Sequence, residues 1–121
     1  MKRTAILSTF LFLVTLTGAW SYSESQKITA LLNAIEHSNL IFIRNGMEYS
    51  APRARQHLEM KLSRAGTRIT TAAQFIEHLA SRSSMTGIAY YVKFPDGRRM
   101  RAAVWLREKL AEIERGEQKV P

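Results

Sequence analysis

The stretch IAYYVKFPDGRRMR, residues 88–101, contains the clearest β-hairpin signal of this chain. From Ile88 to Phe94 the side chains are mostly β-branched or aromatic, which favours a strand. Pro-Asp-Gly at 95–97 has the chemistry of a tight turn that sends the chain back through residues 98–101. We therefore predict a C-terminal β-hairpin.

Three amphipathic helices are predicted before this hairpin and one after it. Their apolar residues recur three and four positions apart, which is the spacing of one helix face. The predicted helices run from about Ser23 to Ser38, from Ser50 to Gly66, from Thr71 to Ala80 and from Ala102 to Arg115. In the last helix Leu106, Leu110 and Ile113 form the apolar stripe, and we expect Trp105 at its flank.

A second β-prone run, Leu40–Ile43, precedes the turn-forming pair Asn45-Gly46. We predict a short strand followed by a tight turn. The order of helices and strands predicts an α+β fold, with four helices packed on a small, mostly antiparallel sheet. One domain is expected over residues 22–116, followed by a polar tail at 117–121.

The N-terminus predicts export from the cytoplasm. Lys2 and Arg3 precede an apolar run from residue 5 to 19, the charge-then-apolar order of a secretory signal. We predict a signal helix over residues 1–21, with cleavage after Ser21 or after Ala19. The alternative is an uncleaved N-terminal membrane anchor.

Composition restricts the chemistry further. The chain has no cysteine, which excludes disulfides, thiolate catalysis and cysteine-based zinc sites. Loss of Lys2 and Arg3 from 18 basic residues leaves 16 against 10 acidic ones, a net charge of +6. An exported basic protein meets anionic envelope surfaces rather than nucleic acid. The alternative is that this charge serves solubility alone.

No catalytic, metal or cofactor motif is present. The chain lacks HExxH, GxSxG, SxxK, P-loop and dinucleotide-binding patterns, so we expect neither a cofactor nor a metal. His78 is predicted on a solvated helix face. His57 lies one helical turn before Lys61, and a neighbouring lysine disfavours the cationic form of the imidazole.

Basic residues also cluster around the C-terminal hairpin, at Lys93, Arg98, Arg99 and Arg101. They are typical of an anion site, and they are equally typical of charges that protect an exposed sheet edge.

An ordered set of polar, glycine and apolar positions resembles the YfeK-like family of small exported bacterial proteins of unassigned function. The matching positions are Phe42-Ile43-Arg44-Asn45-Gly46, Tyr49, His57-Leu58, Lys61, Ile69, Thr71-Ala72, Phe75-Ile76, Ser83-Ser84, Gly87 and Tyr90. The resemblance implies a periplasmic location and adds no activity. It also implies a shared set of polar positions: Arg44, Asn45, Tyr49, His57, Lys61, Ser83, Ser84 and Tyr90.

Some of these shared positions are expected to be structural. Asn45 belongs to a turn, and Ser83 and Ser84 are predicted to satisfy the open end of the third helix. Arg44, His57 and Lys61 are harder to explain as scaffold.

Three functional hypotheses follow. The first is a non-catalytic periplasmic binding or accessory protein, in which Arg44, His57 and Lys61 contact a carboxylate or phosphate of an envelope component or a periplasmic protein. The second is a hydrolase with His57 as base and Ser83 or Ser84 as nucleophile. The third is an inhibitor or immunity protein that blocks a partner with an exposed loop.

Overall fold

The computed structural model describes residues 21–116. Apart from Ser21, the predicted signal helix lies outside the described residues, and so does the predicted tail at 117–121. Four helices are present in the described part: α1 Glu24–Glu36, α2 Ala51–Ala65, α3 Ala72–Gln74 and α4 Ala102–Glu114. A 3₁₀ turn, Gly66–Arg68, follows α2, and a π-helix, Phe75–Ala80, continues α3 without a break. No helix within residues 21–116 is long and apolar enough to cross a bilayer.

Four strands form one sheet in the order β2-β1-β3-β4. They are β1 Ile41–Arg44, β2 Met47–Tyr49, β3 Tyr91–Lys93 and β4 Arg99–Arg101. All three neighbouring pairs are antiparallel. The α+β class and the C-terminal hairpin are therefore confirmed.

The sheet differs from the prediction in two places. The tight turn after β1 leads into β2, a strand that was not predicted because its three residues are too few to show a period-two pattern. The strand predicted from Ile88 is shorter than expected and begins at Tyr91. Ile88 is half exposed, and the carbonyl of Ile88 accepts a hydrogen bond from the Ser83 amide within a loop.

The core lies between one face of the sheet and the helices. Phe42 pairs with Val92 across the β1–β3 ladder, and both side chains are buried. The prediction that Trp105 lies at the flank of the last helix was wrong. Trp105 is only 5% exposed, and its ring packs edge-on against Phe42 with centroids 6.0 Å apart.

The third helix ends in an arrangement that the sequence did not predict. The Ser81 hydroxyl donates to the Glu77 carbonyl at 2.7 Å, and Lys61 Nζ donates to the Leu79 carbonyl at 2.7 Å. These bonds satisfy carbonyls that lack a partner at a helix end. Ser83 does not have this role, because its hydroxyl accepts hydrogen bonds from the amides of Met85 and Thr86.

Candidate functional site

Helix α2 and strand β1 together position the candidate site. The Ser50 hydroxyl caps the start of α2, and the helix then presents Arg53, His57, Lys61 and Arg64 three or four residues apart, on one face. Arg44 ends β1 and lies two residues beyond Phe42, so both side chains point to the face of the sheet that carries the core.

Arg44 is held by a tyrosine from the neighbouring strand. Tyr49 pairs with Phe42 in the β1–β2 ladder and therefore shares that face of the sheet. Arg44 Nη2 donates to the Tyr49 hydroxyl at 3.1 Å, and the guanidinium carbon lies 4.9 Å from the centroid of the Tyr49 ring. This cation–π contact restricts the Arg44 side chain while leaving most of its N–H donors for a ligand.

His57 and Lys61 meet at the hydroxyl of Tyr90. His57 Nε2 and Lys61 Nζ each lie 3.3 Å from that oxygen. Because an ammonium can only donate, the Tyr90 hydroxyl accepts a hydrogen bond from Lys61. The same hydroxyl then donates its hydrogen to His57 Nε2. His57 is therefore assigned as the neutral tautomer, with its ring hydrogen on Nδ1.

Burial and charge both favour this neutral imidazole. The pKa of His57 is lowered, first by burial and then by the positive charges of Arg44, Lys61 and Arg64. The pKa of Lys61 is also lowered, by burial and by Arg44. Three acceptors surround its ammonium, namely the Tyr90 hydroxyl, the Leu79 carbonyl and, at 3.4 Å, the Arg82 carbonyl.

The arginines and His57 line a cleft of about 380 Å³ that we call the Arg44 cleft. Its lining residues are Arg44, Tyr49, Arg53, Ala54, Gln56, His57 and Met60. No carboxylate is among them. Arg53 was not a predicted site residue. Its position one turn before His57 on the same helix face could have indicated it from the sequence.

Cations near this cleft differ from most of the others in having no acidic partner. Within residues 21–116, no ion pair involves Arg44, Arg53, Lys61, Arg64 or Arg68. On the predicted hairpin cluster, by contrast, Lys93 pairs with Glu48 and Arg98 pairs with Asp96. Within the part of the chain that the structure describes, cations without an ion pair are therefore concentrated on and beside α2, and further ones are Arg82 after the third helix and Arg99 and Arg101 on the edge strand β4.

The remaining predicted residues lie in or near the loop after the third helix. Asn45 has a positive φ of 52°, as expected of a turn residue, and its Oδ1 accepts a hydrogen bond from the Thr86 hydroxyl at 2.7 Å. Ser83 is buried in that loop, and Ser84 is exposed at a different cleft from His57.

Within residues 21–116, no hydrogen bond joins His57 to Ser83 or Ser84. The side chains of that part of the chain also contain no group of three histidine, aspartate or glutamate residues that could hold a metal ion.

Comparison with known proteins gives a family but no activity. Residues 22–114 match a family of unknown function, DUF5329. Over 68 residues the chain is 44% identical to the uncharacterized protein YfeK of Salmonella typhimurium. That alignment covers 55% of this chain and spans 57% of the length of the relative. No solved structure matches the chain significantly. The resemblance predicted from the sequence is thus confirmed, and the chain belongs to DUF5329, a YfeK-like family of unknown function.

Proposed function

We propose that this protein is a non-catalytic binding or accessory protein of the periplasm that recognises an anionic group in the Arg44 cleft. The group is a carboxylate or a phosphate of an envelope component or of a partner protein. The observation that carries the proposal is the meeting of Arg44, Arg53 and His57 in one cleft whose lining contains no carboxylate.

Two guanidinium groups from different elements favour a planar or tetrahedral anion. Arginine donates paired N–H groups, which match the oxygens of carboxylate and phosphate. The Tyr49 ring orients the Arg44 side chain before a ligand arrives, which reduces the entropy lost on binding. The neutral His57 adds one N–H donor from its Nδ1, because its Nε2 already faces Tyr90.

Lys61 has a positioning role in this proposal and does not contact the anion. Its donors are directed to the carbonyls of Leu79 and Arg82 and to the Tyr90 hydroxyl. It contributes positive charge from nearby, and the hydroxyl that it holds in turn orients the His57 ring. Binding is favoured over hydrolysis because the hydrogen-bond partner of His57 is a tyrosine and not either of the two serines.

The periplasmic part of the proposal rests on the N-terminal sequence, and mass spectrometry of the protein purified from cells tests it. A mature N-terminus at Tyr22 or at Trp20 is expected. Retention of Met1 in a membrane fraction would instead indicate an uncleaved anchor.

Titration with inorganic phosphate at pH 7.5, followed by NMR, tests the site. We expect saturable shifts at residues of the Arg44 cleft, and we expect R44Q and R53Q each to weaken binding about tenfold, the loss of a charge-assisted contact. R99Q is the matched control, because Arg99 is also an exposed arginine that forms no ion pair within residues 21–116 but lies on β4. Equal phosphate affinity in R53Q and the unchanged protein, or equal weakening by R99Q, would refute the proposed site.

A further inference from the structure

A second cleft, of about 590 Å³, lies between the C-terminal end of α2 and the end of the third helix. We call it the Ile69 cleft. Its lining residues are Lys61, Arg64, Ala65, Arg68, Ile69, His78, Leu79 and Ser84. It shares none of its residues with the Arg44 cleft, although both lie along the same side of α2. Its volume is in the range of sites for small molecules.

The floor of the Ile69 cleft is apolar. Ala65 is 9% exposed and Leu79 is 8% exposed, and both belong to the hydrophobic core. Ile69 is partly buried and packs against that core. An apolar surface at the bottom of a cleft gains free energy when a hydrocarbon group displaces water from it.

The rim of the same cleft is cationic and lacks acidic residues. Arg64 is exposed, and within residues 21–116 it forms no ion pair. Arg68 is held in place because its guanidinium donates to the carbonyls of Ala65 at 3.1 Å and Arg64 at 3.2 Å. Lys61 directs its donors to backbone carbonyls and Tyr90, so Arg64 is the side chain of this rim that offers its whole guanidinium to a ligand.

From this combination we propose that the Ile69 cleft binds a free long-chain carboxylate. The carboxylate pairs with the Arg64 guanidinium, and the hydrocarbon chain lies on Ala65, Ile69 and Leu79. A purely polar anion would leave the apolar floor in water, and a neutral hydrocarbon would leave the arginine without a partner. The ligand class follows from charge complementarity at the rim and apolar complementarity at the floor. This inference does not depend on the anion proposed for the Arg44 cleft.

The direct test is calorimetric titration of the full-length mature chain with decanoate below the concentration at which decanoate forms micelles. We expect decanoate to bind at least tenfold more tightly than acetate, which lacks the chain, and than decanol, which lacks the charge. Between hexanoate and decanoate, each buried methylene group is expected to strengthen binding about fourfold. Equal binding of decanoate and acetate would overturn the proposal.

Variants separate the two ends of the ligand. R64Q is expected to weaken decanoate binding about tenfold while the dependence on chain length stays the same. I69S is expected to weaken the dependence on chain length, and circular dichroism tests whether this variant is folded. R101Q is the control, because Arg101 is an exposed arginine on β4. An R64Q variant that binds decanoate as tightly as the unchanged protein would overturn the proposal.

Two further measurements distinguish this site from its alternatives. R53Q should bind decanoate normally, because Arg53 lines the Arg44 cleft and not the Ile69 cleft. Its loss of phosphate binding is a separate result. Loss of decanoate binding in R53Q would indicate that decanoate binds in the Arg44 cleft, and it would overturn the proposal. Binding to vesicles of an anionic phospholipid without any binding of monomeric decanoate would show a surface interaction with lipid and would also overturn the proposal.

Discussion

Helix α2 carries arginines on two faces, and the two faces meet different surroundings. Arg55 faces α1, where its Nη1 donates to Glu36 at 2.7 Å, and its Nε donates to Glu59 on α2 at 3.3 Å. Arg53 and Arg64 lie on the cleft side of the same helix and take part in no ion pair within residues 21–116.

The same residue type therefore occurs in two environments on one helix: Arg55 is neutralised within the protein, whereas Arg53 and Arg64 remain available for the anions that we propose as ligands. Arg55 ties α2 to α1 through Glu36, so its charge is neutralised within the protein. On the cleft side, the pKa of His57 is lowered first by burial and then by the positive charges of Arg44, Lys61 and Arg64. Like charges held together oppose folding, so an anionic ligand that neutralises them is expected to stabilise the protein.

K61M is expected to have the largest effect on stability. Lys61 does not fit a simple division of the α2 cations into paired ones with a structural role and unpaired ones without. Lys61 has no acidic partner among residues 21–116, but its ammonium is a structural donor to Leu79 and Tyr90. Removing hydrogen bonds from a charged donor and leaving acceptors unsatisfied should lower the free energy of unfolding by about 2 kcal/mol. Urea unfolding followed by circular dichroism measures this loss.

R64M is the control for K61M, since it removes an exposed cation one turn further along the same helix face. We expect R64M to change the free energy of unfolding by less than about 0.5 kcal/mol. If K61M and R64M were equally stable, Lys61 would have no structural role, and the assignment of its donors would be wrong.

An intermediate effect on the free energy of unfolding is expected for R55M. Comparison of R55M with R53M tests whether the two faces of α2 differ in their contribution to stability. R55M removes a partly buried side chain from two ion pairs and should lower the free energy of unfolding by about 1 kcal/mol. R53M removes an unpaired cation from a cluster of like charge, so it should leave stability unchanged or raise it slightly. Urea unfolding measures the free energy of unfolding of both variants. A larger decrease in R53M than in R55M would contradict the expected difference between the two faces.

The smallest expected effect is the pH dependence that His57 contributes. The folded pKa of His57 is lowered below its ordinary value of 6.5, first by burial and then by the positive charges of Arg44, Lys61 and Arg64. The unfolded state then binds more protons than the folded state as the pH falls below 6.5. The neutral ring thus contributes stability that is present above this value and lost as the pH falls through the lower, folded pKa.

Urea unfolding between pH 7.5 and pH 5 measures this contribution in the unchanged protein and in H57Q. We expect the unchanged protein to lose more stability over this interval than H57Q does. H78Q, which alters an exposed histidine, should behave like the unchanged protein. Titration of Glu24 falls below this pH interval, because the hydrogen bond from the Ala72 amide helps to lower the pKa of its carboxyl below the usual value. An identical pH dependence in H57Q and the unchanged protein would contradict the assignment.

Much of the secondary structure could be read from local sequence. Ser23 with Gln26 and Thr71 with Gln74 have the residue types and spacing of capping boxes, and both boxes form in the structure. Pro95-Asp96-Gly97 predicted the turn of the C-terminal hairpin correctly. These features depend on hydrogen bonds between residues close in the chain, which is why a sequence pattern reports them.

Features that depend on distant residues were less accessible. Strand β2 exists because its residues pair with β1, and its three residues carry no independent signal. The buried position of Trp105 depends on its contact with Phe42, which is far from it in sequence. Sequence spacing placed His57 and Lys61 on one helix face, but it contained no information about Tyr90, the residue that joins them.

Three features were predictable from the sequence alone: the α+β class, the family, and a lysine on the helix face that carries His57. The surroundings of each cation became visible only in the folded protein. Folding surrounds the Lys61 ammonium with acceptors, and it brings Arg44 and Arg53 into a cleft whose lining, among residues 21–116, includes no acidic residue. The role of a charged side chain depends on the acceptors and charges within a few ångströms. Because those neighbours come from elements distant in the chain, the sequence pattern does not reveal them.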